Sequence, residues 1–137
     1  MKALSWILLA SLTALADEKS AEDCLRTKVW DGYADGWGIR TMTSATLGAG
    51  ATRNYLVTLY KGNDYQIRTC ADESVANLDV YLYDLNGQVV LQDTTTDRQP
   101  FLEYKPTATS TYYVVVHARS LAAGKTEAGV AMAVTYR

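Results

Sequence analysis

The sequence holds one histidine, one phenylalanine and two cysteines, with thirteen lysines and arginines against fifteen acidic residues. Each scarcity removes a class of function. The lone histidine, His117, stands in the apolar run YYVVVHARS, and no G-x-S-x-G elbow is present. A Ser/His/Asp hydrolase therefore lacks its exposed nucleophile, and His117 reads as a strand residue. Cys24 and Cys70 lie far apart with no histidine companion, which excludes a zinc site of the usual spacing. GAGATR, residues 48–53, has the outline of a phosphate loop without its lysine and following helix, and reads as a turn. A slightly acidic chain gains nothing from counterion release, so nucleic acid is not an expected partner, and no polybasic patch points to a membrane surface.

Long apolar runs are also missing, with one exception at the start. Lys2 precedes an apolar stretch from Ala3 to Ala16, which ends in Ala-Leu-Ala and is followed by DEKSAED. Basic, apolar, small and polar segments in that order form a secretory signal peptide, here residues 1–16, too short to span a bilayer as a helix. A lipoprotein is excluded because Cys24 lies beyond the charged stretch. Cleavage after Ala16 leaves residues 17–137, with twelve basic and fifteen acidic residues. The expected product is periplasmic or secreted, with no membrane insertion once the leader is gone. In an oxidising compartment an even pair of cysteines forms a disulfide, here Cys24–Cys70.

Beyond the leader, helical periodicity is nearly absent, while short β-branched and aromatic runs alternate with turn residues about every ten positions. This predicts an all-β domain, a jelly-roll-like β-sandwich of about eight to nine strands. The strands are placed near Lys28–Trp30, Trp37–Leu47, Asn54–Tyr60, Asp64–Cys70, Leu78–Asp84, Gln88–Asp93, Phe101–Tyr104, Thr111–Ala118 and Ala128–Tyr136. Residues 17–53 read as an N-terminal arm with the first strands and 54–137 as the sandwich body, together one domain. Alternation assigns Tyr55, Val57, Leu59, Tyr65, Ile67, Thr69, Leu78, Val80 and Leu82 to the core. Thr58, Tyr60, Gln66, Arg68, Cys70, Asp79, Tyr81 and Tyr83 then face away. A bridge from an outward Cys70 to Cys24 would pin the arm across the outside of a sheet, closing a loop worth roughly 4 kcal/mol. DLNG, residues 84–87, predicts a hairpin turn, tight or bulged, capped by Asp84.

The runs YLVTLYKGNDYQIRTC, NLDVYLYDLNGQVV and FLEYKPTATSTYYVVVHA, in that order and spacing, resemble the bacterial pre-peptidase C-terminal domain family. The similarity runs from about Asn54 to Ala118 and departs at Ser110, where the family favours glycine. It implies an exported jelly-roll sandwich of the kind appended to secreted proteases, whose relatives on collagenases bind collagen, some with calcium. The chain reads as a stand-alone domain, with no protease expected ahead of it. Glu18, Glu22 and Asp23 are a loose counterpart of the acidic linker that supplies calcium ligands in those relatives, and no ligand is carried over from it.

The remaining candidates are acids and rings. Asp79 with Asp72 or Glu73 would serve a glycosidase only within a deep cleft, and the plain reading is solvated loop acids. CADESVANLD offers Asp72, Glu73, Asn77 and Asp79 as oxygen ligands without the D-x-[DN]-x-[DN]-G spacing, so no cofactor is expected and calcium is the one ion they would suit. Ten tyrosines and two tryptophans outside the leader are an excess of rings with a polar handle, suited to half-wet surfaces. Trp30, Tyr33 and Trp37 fall in the glycine-rich VWDGYADGW, and Tyr60, Tyr81, Tyr83 and Tyr113 are predicted to face outward. Such rings stack on sugars or on proline-rich chains, unless the arm covers them as a second small core under the disulfide. The expectation is a non-catalytic binding or accessory module for a polysaccharide or an extracellular protein. Two alternatives are a trans-acting inhibitor or chaperone-like partner of a secreted protease, and a small hydrolase.

Overall fold

The computed structural model describes residues 17–95 and 98–137, so the expected leader, residues 1–16, lies outside the described residues. Among the described residues one helix, α1 (Glu18–Tyr33), precedes eight strands: β1 (Gly38–Gly48), β2 (Thr52–Leu59), β3 (Tyr65–Ala71), β4 (Val75–Tyr83), β5 (Val89–Asp93), β6 (Phe101–Tyr104), β7 (Ser110–Leu121) and β8 (Glu127–Tyr136). The strands form two antiparallel sheets of order β1-β8-β3-β6 and β2-β7-β4-β5. That order is the eight-stranded jelly roll, so the predicted fold class holds.

The alternation that predicted the strands also fills the space between the sheets. Val57, Leu59, Leu78, Val80, Leu82, Val114, Val116 and Ala118 of one sheet meet Leu47, Tyr65, Ile67, Val130, Met132 and Val134 of the other. Each fully buried aliphatic side chain contributes roughly 1.5–3 kcal/mol. The buried Tyr65 keeps its hydroxyl satisfied by accepting from the Tyr60 N–H at 2.8 Å and from Asn63 Nδ2 at 3.2 Å. DLNG makes the bulged form of the hairpin. Asp84 Oδ1 accepts from the Asn86 and Gln88 N–H groups at 2.9 Å, Gly87 takes φ +79°, and the β4–β5 register shifts between Leu82 and Tyr83.

The structure corrects one element. Lys28–Trp30, expected as a strand, is part of α1, near its end. Asp17 caps the helix through the Ser20 N–H at 2.9 Å, and Ala21, Leu25, Val29 and Gly32 form its buried stripe at spacings of four, four and three. This stripe is one residue wide at each turn, and the charged positions between its members hide its period. It seats on the outer face of the first sheet, where Ala131 and Ala133 of β8 and Cys70 of β3 complete a second core with Ala21, Leu25 and Val29. Cys24 and Cys70 are bonded, with Cα atoms 6.0 Å apart. The bridge thus pins the N-terminal segment across the outside of a sheet, as the outward register of Cys70 required. Hydrogen bonds from Ser44 Oγ to Glu22 and from Thr46 Oγ1 to Glu18, both 2.6 Å, fix the helix to β1.

Candidate binding surfaces

The seven rings singled out in the sequence do not gather on one surface. Trp37 is buried, 8 % exposed. It packs against Gly32, where an added Cβ would lie 3.6 Å from the Trp37 Cβ, and Arg137 covers its ring at 4.7 Å. It serves the fold and is withdrawn from any contact surface. The second core expected under the disulfide does exist, but aliphatic residues build it. Trp30 and Tyr33 stay outside it, on the flank of α1 that faces β1.

Trp30 is 65 % and Tyr33 62 % exposed, and their rings meet edge to face at 5.6 Å. With Arg26, Val29, Ile39 and Met42 they line an open groove of about 360 Å³ between α1 and β1. Ile39 also borders a second depression, which it shares with Tyr60, Asn63 and Tyr136. Trp30, Tyr33 and Tyr60 therefore flank one stretch of β1. That strand is the edge of its sheet. The groove is an apolar concavity with an indole and a phenol at its rim and Arg26 beside them, a composition enriched at the centres of protein interfaces. Sequence reasoning missed Ile39 and Met42. Three residues apart, they alternate to opposite faces in the sequence, and only the bulge between Ile39 and Thr41 turns both to the outer face of β1.

Tyr81, Tyr83 and Tyr113 lie on the outer face of the other sheet, which α1 does not cover. Tyr83 is paired across strands with Tyr113, and Tyr81 with Val115 and Gln92. The Tyr81 and Tyr83 rings stack at 5.7 Å, and Leu56, Val89 and Tyr113 are exposed around them. Burial raises the Tyr81 phenol above the usual tyrosine range, with the charge of Asp79 and the neighbouring Tyr83 acting in the same direction and Arg119 opposing.

At the end of this row lies Asp79, 1 % exposed although on the outward register. Its Oδ2 is 3.5 Å from His117 Nδ1 and 3.4 Å from Arg119 Nε, while Oδ1 has no hydrogen-bond partner among the described residues. Asp72 is buried elsewhere, accepting from the backbone N–H groups of Asp17, Ser74 and Gly129. Asn77 donates to Ser120 at 2.7 Å. Asp72, Asn77 and Asp79 thus each have separate partners, and with Glu73 they are not brought together as one ligand set. No group of three or more His, Cys, Asp or Glu side chains suited to a metal occurs among the described residues. Of the loose linker counterparts, Glu18 and Glu22 bind β1, and Asp23 pairs with Arg26 at 3.4 Å. No described helix is long and apolar enough to cross a membrane.

No family model matches the sequence, and no curated protein matches it. Solved structures do share its fold. The periplasmic inhibitor of g-type lysozyme PliG from Aeromonas hydrophila superposes with a TM-score of 0.52 at 13 % identity, covering 71 % of this chain and 85 % of that one. The pre-peptidase C-terminal domain of a Bacillus anthracis collagenase gives 0.54 at 13 % identity, covering 71 % and 90 %. At such identity the likeness is one of fold, and that fold is the one the strand motifs implied.

Proposed function

We propose that this chain is a non-catalytic, exported binding module of the pre-peptidase C-terminal type, and that its working surface is the groove between α1 and β1, which takes an extracellular protein. One observation carries the reading: Trp30 and Tyr33 are left more than half in water on a rigid, disulfide-anchored helix, directly beside Ile39 and Met42. Large rings on a preorganised frame lose little conformational entropy on binding, which is how a few side chains come to dominate an interface. The family resemblance narrows the partner to a separately encoded exported protease, on which this chain acts in trans as inhibitor or chaperone-like companion. A hydrolase of its own gains no support from Asp72 and Asp79, since both are buried and held by different neighbours.

The test is affinity capture from culture and envelope fractions on immobilised protein, repeated with Trp30→Ala, Ile39→Asp and Tyr113→Ala. A bound protein that is lost with the first two variants and kept with the third supports the groove. Capture that survives both groove variants refutes it.

A second reading has its own observation. The tyrosine face of the other sheet, with Asn54 and Gln92 as exposed amides beside it, suits a polysaccharide laid across the strands. Gel retardation by cell-envelope polysaccharides that is relieved by Tyr81→Ala and Tyr113→Ala, and unaffected by Trp30→Ala, supports it. Absence of retardation dismisses it.

A further inference from the structure

Reading the leader as ending at Ala16 makes Asp17 the first residue of the exported chain, and the nitrogen that cleavage would free has a buried partner. The Asp17 N–H donates to Asp72 Oδ2 at 2.9 Å. Asp72 is 5 % exposed. The same oxygen accepts from the Gly129 N–H at 3.1 Å, and Oδ1 accepts from the Ser74 N–H at 2.9 Å. A Cβ on Gly129 would lie 2.5 Å from the carbonyl carbon and oxygen of Asp17 and from the Glu18 nitrogen. The backbone is therefore seated on β8 at Asp17 itself. A chain beginning one residue earlier or later would not present its terminal nitrogen to Asp72.

We propose that hydrolysis of the Ala16–Asp17 bond turns this hydrogen bond into a half-buried ion pair between the Asp17 α-ammonium and the buried Asp72 carboxylate, so that leader removal completes the docking of α1. The reaction is peptide hydrolysis by a signal peptidase with water as co-reactant. The C–N bond breaks, the water oxygen stays on Ala16 as part of its carboxylate, and the protons make the Asp17 nitrogen an ammonium. A positive charge at a helix N-terminus is ordinarily opposed by the helix dipole. Charge-assisted bonding to the buried Asp72 carboxylate reverses that sign at this one position. Before cleavage, the buried carboxylate is answered by three uncharged backbone donors. Afterwards it has an opposite charge, the condition under which a buried ion is tolerated. The proposal is independent of which ligand the module binds.

The experiment has two parts. N-terminal sequencing of the exported protein is expected to begin at Asp17, and any other start overturns the proposal. Next, chains starting at Asp17 with a free or an acetylated amine are compared, disulfide intact, with Asp72 present and with the Asp72→Asn substitution. Acetylation is expected to lower Tm by about 5 °C with Asp72 present and by far less in the Asp72→Asn variant. Equal losses on both backgrounds overturn the ion pair. Should Asp72→Asn fail to fold, amine-directed labelling of the unmutated chain decides. Modification at Asp17 is expected to run about tenfold slower in the native than in the urea-unfolded protein, and equal rates refute the proposal.

Discussion

Arg137 lays its guanidinium over the ring of Trp37 at 4.7 Å, while its Nη1 donates to the Asp35 carbonyl at 3.3 Å. The residue that follows β8 thereby closes the loop that leaves α1. Such a cation–π contact near the surface is worth about 0.5–1 kcal/mol. Arg137→Ala is expected to red-shift Trp37 emission and raise its quenching by acrylamide, read in a Trp30→Phe background that removes the exposed indole. Unchanged emission would show that Gly32 and the loop alone bury the ring.

Reduction of Cys24–Cys70 is expected to release α1 before the sandwich opens. The bridge joins residues 46 apart, and its loss costs roughly 4 kcal/mol in the chain-entropy model. Of the buried groups in that second core, only Ala21, Leu25 and Val29 come from α1. With Cys24→Ser and Cys70→Ser, circular dichroism is expected to lose its helical component at lower urea than its strand component. A single coincident transition would contradict this.

The carboxylate of Asp79 is buried, whereas the Arg119 side chain that faces it is about half exposed. Solvent screening limits Arg119→Ala to a cost of about 1 kcal/mol. Removing His117 as well strands the charge, and the double variant is expected to lose about 3 kcal/mol. Adding Asp79→Asn should then restore most of the loss, because no ion remains buried. Chemical denaturation of the three proteins checks the order, and failure of Asp79→Asn to rescue would mean that packing, not charge, holds this corner.

Tyr104 and Tyr112 meet at right angles, rings 5.7 Å and hydroxyls 3.4 Å apart. Burial, helped by the Tyr104 hydroxyl and by the charges of Tyr104 and Asp84, pushes the Tyr112 phenol up to about 12. The folded protein holds its proton where the unfolded chain has released it. Stability from this group is therefore complete below about pH 10 and falls as pH rises toward 12, by roughly 2–3 kcal/mol over that window. Alkaline unfolding followed at tyrosinate absorbance is expected to be less steep in Tyr112→Phe. An identical profile would exclude Tyr112 as the group responsible.

The sandwich was legible because period-two alternation is a direct imprint of a half-buried strand. Leu78, Val80 and Leu82, predicted inward, are fully buried, and outward Cys70 meets its partner on the outer face. Helix α1 escaped because a helix that covers an already folded sheet needs only a thin apolar stripe. Ala21, Leu25 and Val29 supply it among charged residues, a pattern weaker than a strand's alternation. The compensating signal sits in the sheet. In AGVAMAVT of β8, large residues alternate with Gly129, Ala131 and Ala133, and a small, uncharged outer face marks a sheet that another element must approach closely. The groove was half legible. Tyrosine and tryptophan excess pointed to exposed rings, but the side on which Trp30 and Tyr33 emerge depended on the roughly 100° turn per residue of a helix that the strand reading had replaced, and Trp37, beyond that helix, is buried against Gly32 and Arg137. Asp79, predicted to face solvent, is buried because Arg119 and His117 converge on it from β7, a pairing that only the β4–β7 register reveals.

The position of β8 sets the timing of assembly. It is the last of the eight strands to be synthesised, yet it lies between β1 and β3 and also carries α1. The first sheet has no bridge between those neighbours until residues 127–136 have been made, so β1 and β3 cannot be joined in one sheet before then. Late closure also delays the seat of α1, because Ala131 and Ala133 of β8 supply part of the second core that brings Cys24 against Cys70.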